Sequence, residues 1–217
     1  MQFTASGWWC AGAVVTGAVF GAGASALTRR FLRHDRALAG SWWLGAVMTA
    51  AVLGALAWRV GPRGELAVYG VVAVLAVPLS VIDWCEHRLP RALVLPQLAG
   101  VLAGFAVLCV VRGDFSPGLR VLGAAVAAAG LFLVLAVVSS GGVGAGDVNA
   151  AAVVGAVTAW AGWPQVAWAL VVALALALLL VLALRRELRF GSQADKVVVP
   201  FGPCLFAGAL LVLVTSG

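Results

Sequence analysis

The sequence predicts an all-α, polytopic membrane bundle of about eight helices, and three observations predict it. First, 64% of the 217 residues are hydrophobic and only 10% are charged, which leaves too little polar surface to cover a water-soluble globule of this size. Second, the apolar residues gather into about eight stretches, most of them near the ~20 residues a helix needs to cross a bilayer, with short breaks of charge, glycine or proline between them. Third, glycine and alanine are abundant inside those stretches, so helix backbones can approach closely where no hydrophobic force drives helix onto helix. One domain covers residues 1–217, with N-terminal helices in residues 1–64 and a core in residues 65–217.

In chain order the expected spans are Gly7–Leu27, Trp42–Ala57, Glu65–Ile82, Leu93–Val111, Val121–Ser139, Val148–Ala161, Gln165–Leu184 and Val199–Val214. The sixth is short, and Gly162, Trp163 and Pro164 part it from the seventh. Val148 to Leu184 is far too long for one crossing, so a tight hairpin is the simpler account. Hydrophobic periodicity adds nothing, because helices that are apolar all round have no distinct face.

Basic residues are retained on the cytoplasmic side of a membrane. One set of alternate loops carries Arg29, Arg30, Arg33, Arg36, Arg88, Arg91, Arg185, Arg186, Arg189 and Lys196, whereas the other carries only Arg59, Arg63, Arg112 and Arg120. The first set is therefore expected inside the cell and both termini outside. The net charge of +6 is spent on these clusters, with no extended basic face for nucleic acid. The first basic residue, Arg29, follows the first apolar run, an order opposite to that of a cleavable signal peptide. Cys10, Cys85, Cys109 and Cys204 stand singly, with no spacing that suits a zinc site or a disulfide framework, and packing is their default role. No cofactor or metal is expected.

Three polar interruptions stand out. They are Asp83-Trp84-Cys85-Glu86-His87-Arg88-Leu89-Pro90, then Gly141-Gly142-Val143-Gly144-Ala145-Gly146-Asp147, and Pro200-Phe201-Gly202-Pro203. Two spans separate Asp83 from Asp147, an even number of crossings, so both carboxylates return to the same side despite lying 64 positions apart. A carboxylate at a membrane boundary is costly enough to mark a function or a partner. Taken alone, Asp147 also reads as an ordinary N-cap before an apolar run. Asp83 ends a helix, where the macrodipole disfavours an anion by ~0.3–1 kcal/mol. Gly144 and Gly146 permit backbone conformations and close approaches that a side chain would block.

In these segments the chain resembles the type IV prepilin peptidases, membrane aspartic peptidases known for a GxGD motif. Asp83 through Leu89-Pro90 looks like the family's first motif and continues into Leu93-Val94-Leu95-Pro96. Gly144-Ala145-Gly146-Asp147 looks like the second, and Pro200-Phe201-Gly202-Pro203 like a third segment that opens the last span. The likeness runs from about residue 70 to the C-terminus. It implies that residues 65–217 form a peptidase core with Asp83 and Asp147 catalytic, and that Gly144, Gly146, Glu86, Pro90, Asn149, Pro200 and Gly202 shape the site or bind substrate. It further implies cleavage, at the cytoplasmic face of a bacterial plasma membrane, of prepilins or pseudopilins carrying a short basic leader and an apolar helix. Asn149 and Ala150 stand where the family usually has Lys and Leu. The loop Thr28–Ser41 has no cysteine, whereas larger members carry two CxxC pairs there together with an N-methyltransferase activity.

Two close carboxylates cannot both ionise cheaply, so they share a proton and divide general-base and general-acid work around an attacking water. The helix ends suggest Asp147 as the initial base. The rival readings are a proton-coupled transporter, since intramembrane carboxylates also serve relays, and a non-catalytic assembly partner for pilus proteins, motivated by Asn149. Polar residues scattered through the spans, Thr16, Ser80 and Thr158, do not outline a conducting path and are expected to bond to the backbone. A presenilin-like pattern would need Tyr-Asp and Pro-Ala-Leu, and the chain has Ile82-Asp83 and Pro200-Phe201 instead.

Overall fold

The computed structural model describes residues 3–31, 41–138, 144–188 and 200–215. Those residues form eight helices: α1 (Phe3–Phe31), α2 (Trp42–Val60), α3 (Glu65–Glu86), α4 (Arg91–Arg112), α5 (Ser116–Val138), α6 (Ala145–Ala159), α7 (Trp163–Leu188) and α8 (Phe201–Thr215). Six of them, all but α6 and α8, are long and apolar enough to cross a membrane. Many large apolar side chains point outward, among them Val126, Val137 and Leu179. In water such a surface would drive association; in a bilayer it is the lipid-facing side. The chain is an all-helical, multi-pass membrane protein, as its composition predicts.

Helices α6 and α8 are the two short helices of the bundle, and the sequence predicts the shortness of the sixth span. Each has 15 residues, about 22 Å of helix against a hydrocarbon core of about 30 Å. Helix α6 escapes the length requirement because it touches lipid hardly at all. Every residue from Ala150 to Ala159 is buried, and α4, α5, α7 and α8 surround it. Small side chains make this possible: a Cβ on Gly155 would stand 2.5 Å from the Ala124 carbonyl oxygen of α5.

Local chemistry sets the helix ends that matter for the site. Helix α3 stops when His87 takes a left-handed conformation (φ 51°) and its N–H donates to the Asp83 carbonyl. Pro90 follows at extended dihedrals and opens α4, as a residue with fixed φ and no N–H does at a helix start. The Gln97 side chain of α4 donates to the Val72 carbonyl of α3 at 3.2 Å, tying these two helices together within the core. As expected, the hydroxyls of Thr16 and Thr158 bond to backbone carbonyls, those of Gly12 and Val154, each at 2.7 Å.

At the end of the bundle where α3, α5 and α7 begin, a polar cluster joins three helices. Glu65 of α3 is buried and accepts from Arg112 of α4 at 2.7 Å and from the Trp160 indole, just past α6, at 3.2 Å. The Trp160 ring stacks on Phe105 at 4.5 Å, with the Arg112 guanidinium 5.5 Å from its centre. Arg120, in the first turns of α5, donates to the Ala159 and Trp160 carbonyls at 2.6 and 2.9 Å, satisfying acceptors that the end of α6 leaves open. Arg112 and Arg120 read as topology signals in the sequence; in the fold they also clamp helix ends.

Candidate active site

The opposite end gathers the C-terminus of α3 and the N-termini of α4, α6 and α8. Asp83 lies in the last turn of α3 and is 3% exposed. Its carboxylate accepts the backbone N–H of Gly202, the second residue of α8, at 2.8 Å. A Cβ on Gly202 would stand 2.9 Å from Asp83 Oδ2 and 3.3 Å from its Cβ and Cγ, so any side chain there displaces the carboxyl group. Pro200 is buried just before α8, and Cys204, one turn on, places its thiol toward the Pro200 carbonyl at 3.8 Å.

Asp147 is the third residue of α6, not the residue that caps it. The helix starts at Ala145, and the Asp147 carboxylate reaches back to accept the Gly144 N–H at 2.9 Å. This is half of a capping box, with glycine at the cap position supplying no side chain of its own. The N-cap reading of the sequence places the helix start three residues too late, because Ala145, Gly146 and Asp147 are helical despite the glycine-rich run before them. Asp147 is half-buried, and the two carboxylates lie close enough to interact electrostatically.

The motif glycines act by space and not by unusual dihedrals. Gly144 sits at φ −77°, ψ 154°, which any residue adopts. A Cβ on Gly146, by contrast, would stand 2.6 Å from the Leu89 Cβ and 2.7 Å from the Leu89 carbonyl oxygen. The α3–α4 turn therefore rests directly on the first turn of α6, which brings the segment that follows Asp83 against the one that carries Asp147. Leu89 is buried there; no sequence signal marks it except its place before Pro90.

The other expected site residues fall into two groups. Pro90 is half-buried at the head of α4, within the turn that touches Gly146. Glu86 is the last residue of α3 and half-buried, while His87 and Arg88 are exposed at the rim. Asn149 is half-buried on α6, but two helical positions from Asp147 turn it by roughly 200°, so the two side chains leave opposite flanks. Gly141, Gly142 and Val143, the basic loop residues Arg33, Arg36, Arg189 and Lys196, and Val199 lie outside the described residues.

Both carboxylates therefore meet a backbone donor at a helix start, Asp83 from α8 and Asp147 from α6. The sequence-based contrast, with one acid at a C-terminus and the other at an N-terminus, loses its force, since α8 brings its own positive end to Asp83. Among the described residues neither carboxylate has a cationic side chain as partner, and no group of three or more His, Cys, Asp or Glu is placed to hold a metal.

The chain is therefore a helical, multi-pass membrane protein with two acidic side chains drawn to one end of its bundle. The model of the type IV leader peptidase family matches residues 69–185, more than half of the chain, and the protein belongs to that family and is a peptidase. No curated protein and no solved structure matches it. The matched segment holds both aspartates and ends before α8, whose Gly202 nevertheless touches Asp83.

Proposed function

We propose that this protein is a membrane-embedded aspartic endopeptidase that removes the short basic leader of prepilin-like proteins, with Asp83 and Asp147 as its catalytic pair. The observation that carries the reading is the convergence of the two carboxylates, each held by a helix-start N–H and neither neutralised by a cation among the described residues. One proton is shared. The ionised member takes a proton from a water as its oxygen attacks the scissile carbonyl carbon, and the protonated member donates a hydrogen bond to the oxygen on which negative charge develops. Collapse of that intermediate breaks the C–N bond, and the departing amine takes up a proton from the pair. No covalent enzyme intermediate is needed. Because both acids face helix starts, the pair is written as one unit.

The site opens at a rim bearing Glu86, His87 and Arg88, where Glu86 is placed to meet a basic leader. The excess of Arg and Lys in the sequence of the loops expected on this side supports a cytoplasmic position with both termini outside, and the family likeness supports a bacterial plasma membrane. An apolar substrate helix then stays in lipid while its leader remains in water. We treat residues 1–217 as one unit in which residues 65–217 carry the chemistry and residues 1–64 brace them. Gly144, Gly146, Pro90, Pro200 and Gly202 shape the pocket, and Asn149 stands on the far flank of α6. With no cysteine in the loop Thr28–Ser41, cleavage without N-methylation of the new amino terminus is the expected product, read by mass spectrometry.

The direct test incubates membranes containing the protein with a prepilin that has glycine before the cut. Loss of the leader, seen as a mobility shift, is expected; an unchanged substrate in the presence of inserted protein refutes the reading. The orientation is tested separately by membrane-impermeant thiol labelling in intact cells. Cys85 is expected to be protected, and its modification from outside reverses the assignment of faces.

A further inference from the structure

An apolar groove of about 970 Å³ runs between α1 and α3 at the end of the bundle opposite Asp83. Trp8, Trp9 and Phe20 of α1 form one wall, Gly70 of α3 lies in the other, and Leu53 of α2 contributes to the floor. The missing side chain of Gly70 leaves depth, since a Cβ there would meet only Leu53, at 3.7 Å. Arg63, in the turn between α2 and α3, stands at the mouth, exposed and without an ion pair among the described residues.

We propose that this groove holds an acyl chain of an anionic phospholipid whose phosphate sits on Arg63. The walls are mostly apolar, as a chain requires, and the one hydroxyl there, that of Thr16, donates to the Gly12 carbonyl. Tryptophans flank the mouth at the level where such side chains meet lipid headgroups. An arginine beside them supplies the charge that selects an anionic headgroup over a zwitterionic one.

The rival occupant, the apolar helix of a substrate, would have to run on to the carboxylates. The groove does not lead there. Its last α3 residue is Leu75, about 12 Å along the helix from Asp83. Beyond it α1, α2 and α3 close around Gly21, Gly45 and Pro78, leaving a void of about 10 Å³, on the order of one water-sized probe. A Cβ on Gly45 would stand 2.8 Å from the Gly21 carbonyl oxygen, so the helices cannot come closer. The cleft is closed on the side facing the site and open at the Arg63 end, which suits a chain tethered at that end.

Native mass spectrometry of the detergent-purified protein, offered phosphatidylglycerol and phosphatidylcholine with identical chains in equal amounts, tests this. The wild type should retain phosphatidylglycerol about fivefold over phosphatidylcholine, the effect expected of one basic residue near an anionic headgroup. Arg63→Gln should remove that preference while still holding lipid, and Gly70→Leu, which fills the groove, should reduce retention of both lipids. Arg63 is exposed in a turn, so its substitution leaves the packing intact. Equal retention of the two lipids by the wild type overturns the proposal, as does a preference that survives Arg63→Gln. Displacement of the bound lipid by a peptide copying a prepilin's apolar helix also overturns it, assigning the groove to substrate.

Discussion

The bundle carries buried acidic side chains at both ends, and they are treated in opposite ways. Glu65 is answered by side chains, the Arg112 guanidinium and the Trp160 indole, within a stack of aromatic rings. Asp83 and Asp147 each accept one backbone N–H, and the two acids act on each other electrostatically as like charges. A carboxylate held by arginine is locked into its charged form and serves to join helices. Under the proposed mechanism, carboxylates held by amides alone beside a second acid are expected to share a proton. Burial does not separate the two ends, because Glu65 at 8% exposed and Asp83 at 3% are alike in that respect; the chemistry of the partners does.

The largest expected effect breaks the site end. Asp83→Asn and Asp147→Asn should each lower prepilin cleavage by about 10³-fold or more, since proton transfer by a positioned group contributes up to about 10⁴-fold. The double variant should be scarcely worse than either single one, as groups acting together are not additive. Asp114→Asn is the control: Asp114 is exposed and accepts the Ser116 N–H at the head of α5, a role asparagine fills as well. Near-normal turnover by either dyad variant, measured per unit of inserted protein, would leave the two ends equivalent and remove the aspartic mechanism.

Gly202→Ala should come next. The added methyl would press on Asp83, and a misplacement on the order of 1 Å costs about 10²-fold in rate. Assays of cleavage alongside thermal unfolding should find activity falling further than stability; a variant that cuts at the wild-type rate shows that α8 does not position Asp83.

At the other end the effect should appear in stability. Arg112→Ala leaves Glu65 buried without its cation, and because the arginine side chain is 45% exposed the loss should be about 1–2 kcal/mol, below that of a fully buried pair. Thermal unfolding in detergent measures it, with turnover of the folded fraction unchanged. If catalysis collapses while the melting transition stays put, the Glu65 cluster belongs to the chemistry and the contrast fails. The smallest effect should come from chelation: EDTA should leave cleavage where it was, and activity lost to EDTA and restored by zinc would put a metal into a reaction written here for two acids and water.

Much of this was legible along the chain. Span boundaries lay within a few residues of the helices, since the period of apolar runs and the polar breaks between them are local properties. The same-side placement of Asp83 and Asp147 required only counting crossings. What escaped was anything that depends on which helix touches which. The donation from Gly202 to Asp83 spans 119 positions, and the Trp160 to Glu65 bond spans 95; apolar sequence between them carries no trace of either. Asn149 is expected at the site because it stands where the family usually has Lys, and helical geometry sets it on the flank of α6 opposite Asp147.

Membrane residence, repeated crossing and the return of two acids to one side can all be read along the chain, because hydropathy and parity are additive. Tertiary contacts were needed to see that neighbouring helices sheathe α6, that Gly146 and Gly202 matter for contact and not for dihedral freedom, and that α8 brings a helix start to Asp83. Those outcomes come from close packing, in which the space one helix leaves is defined by residues remote from it in sequence.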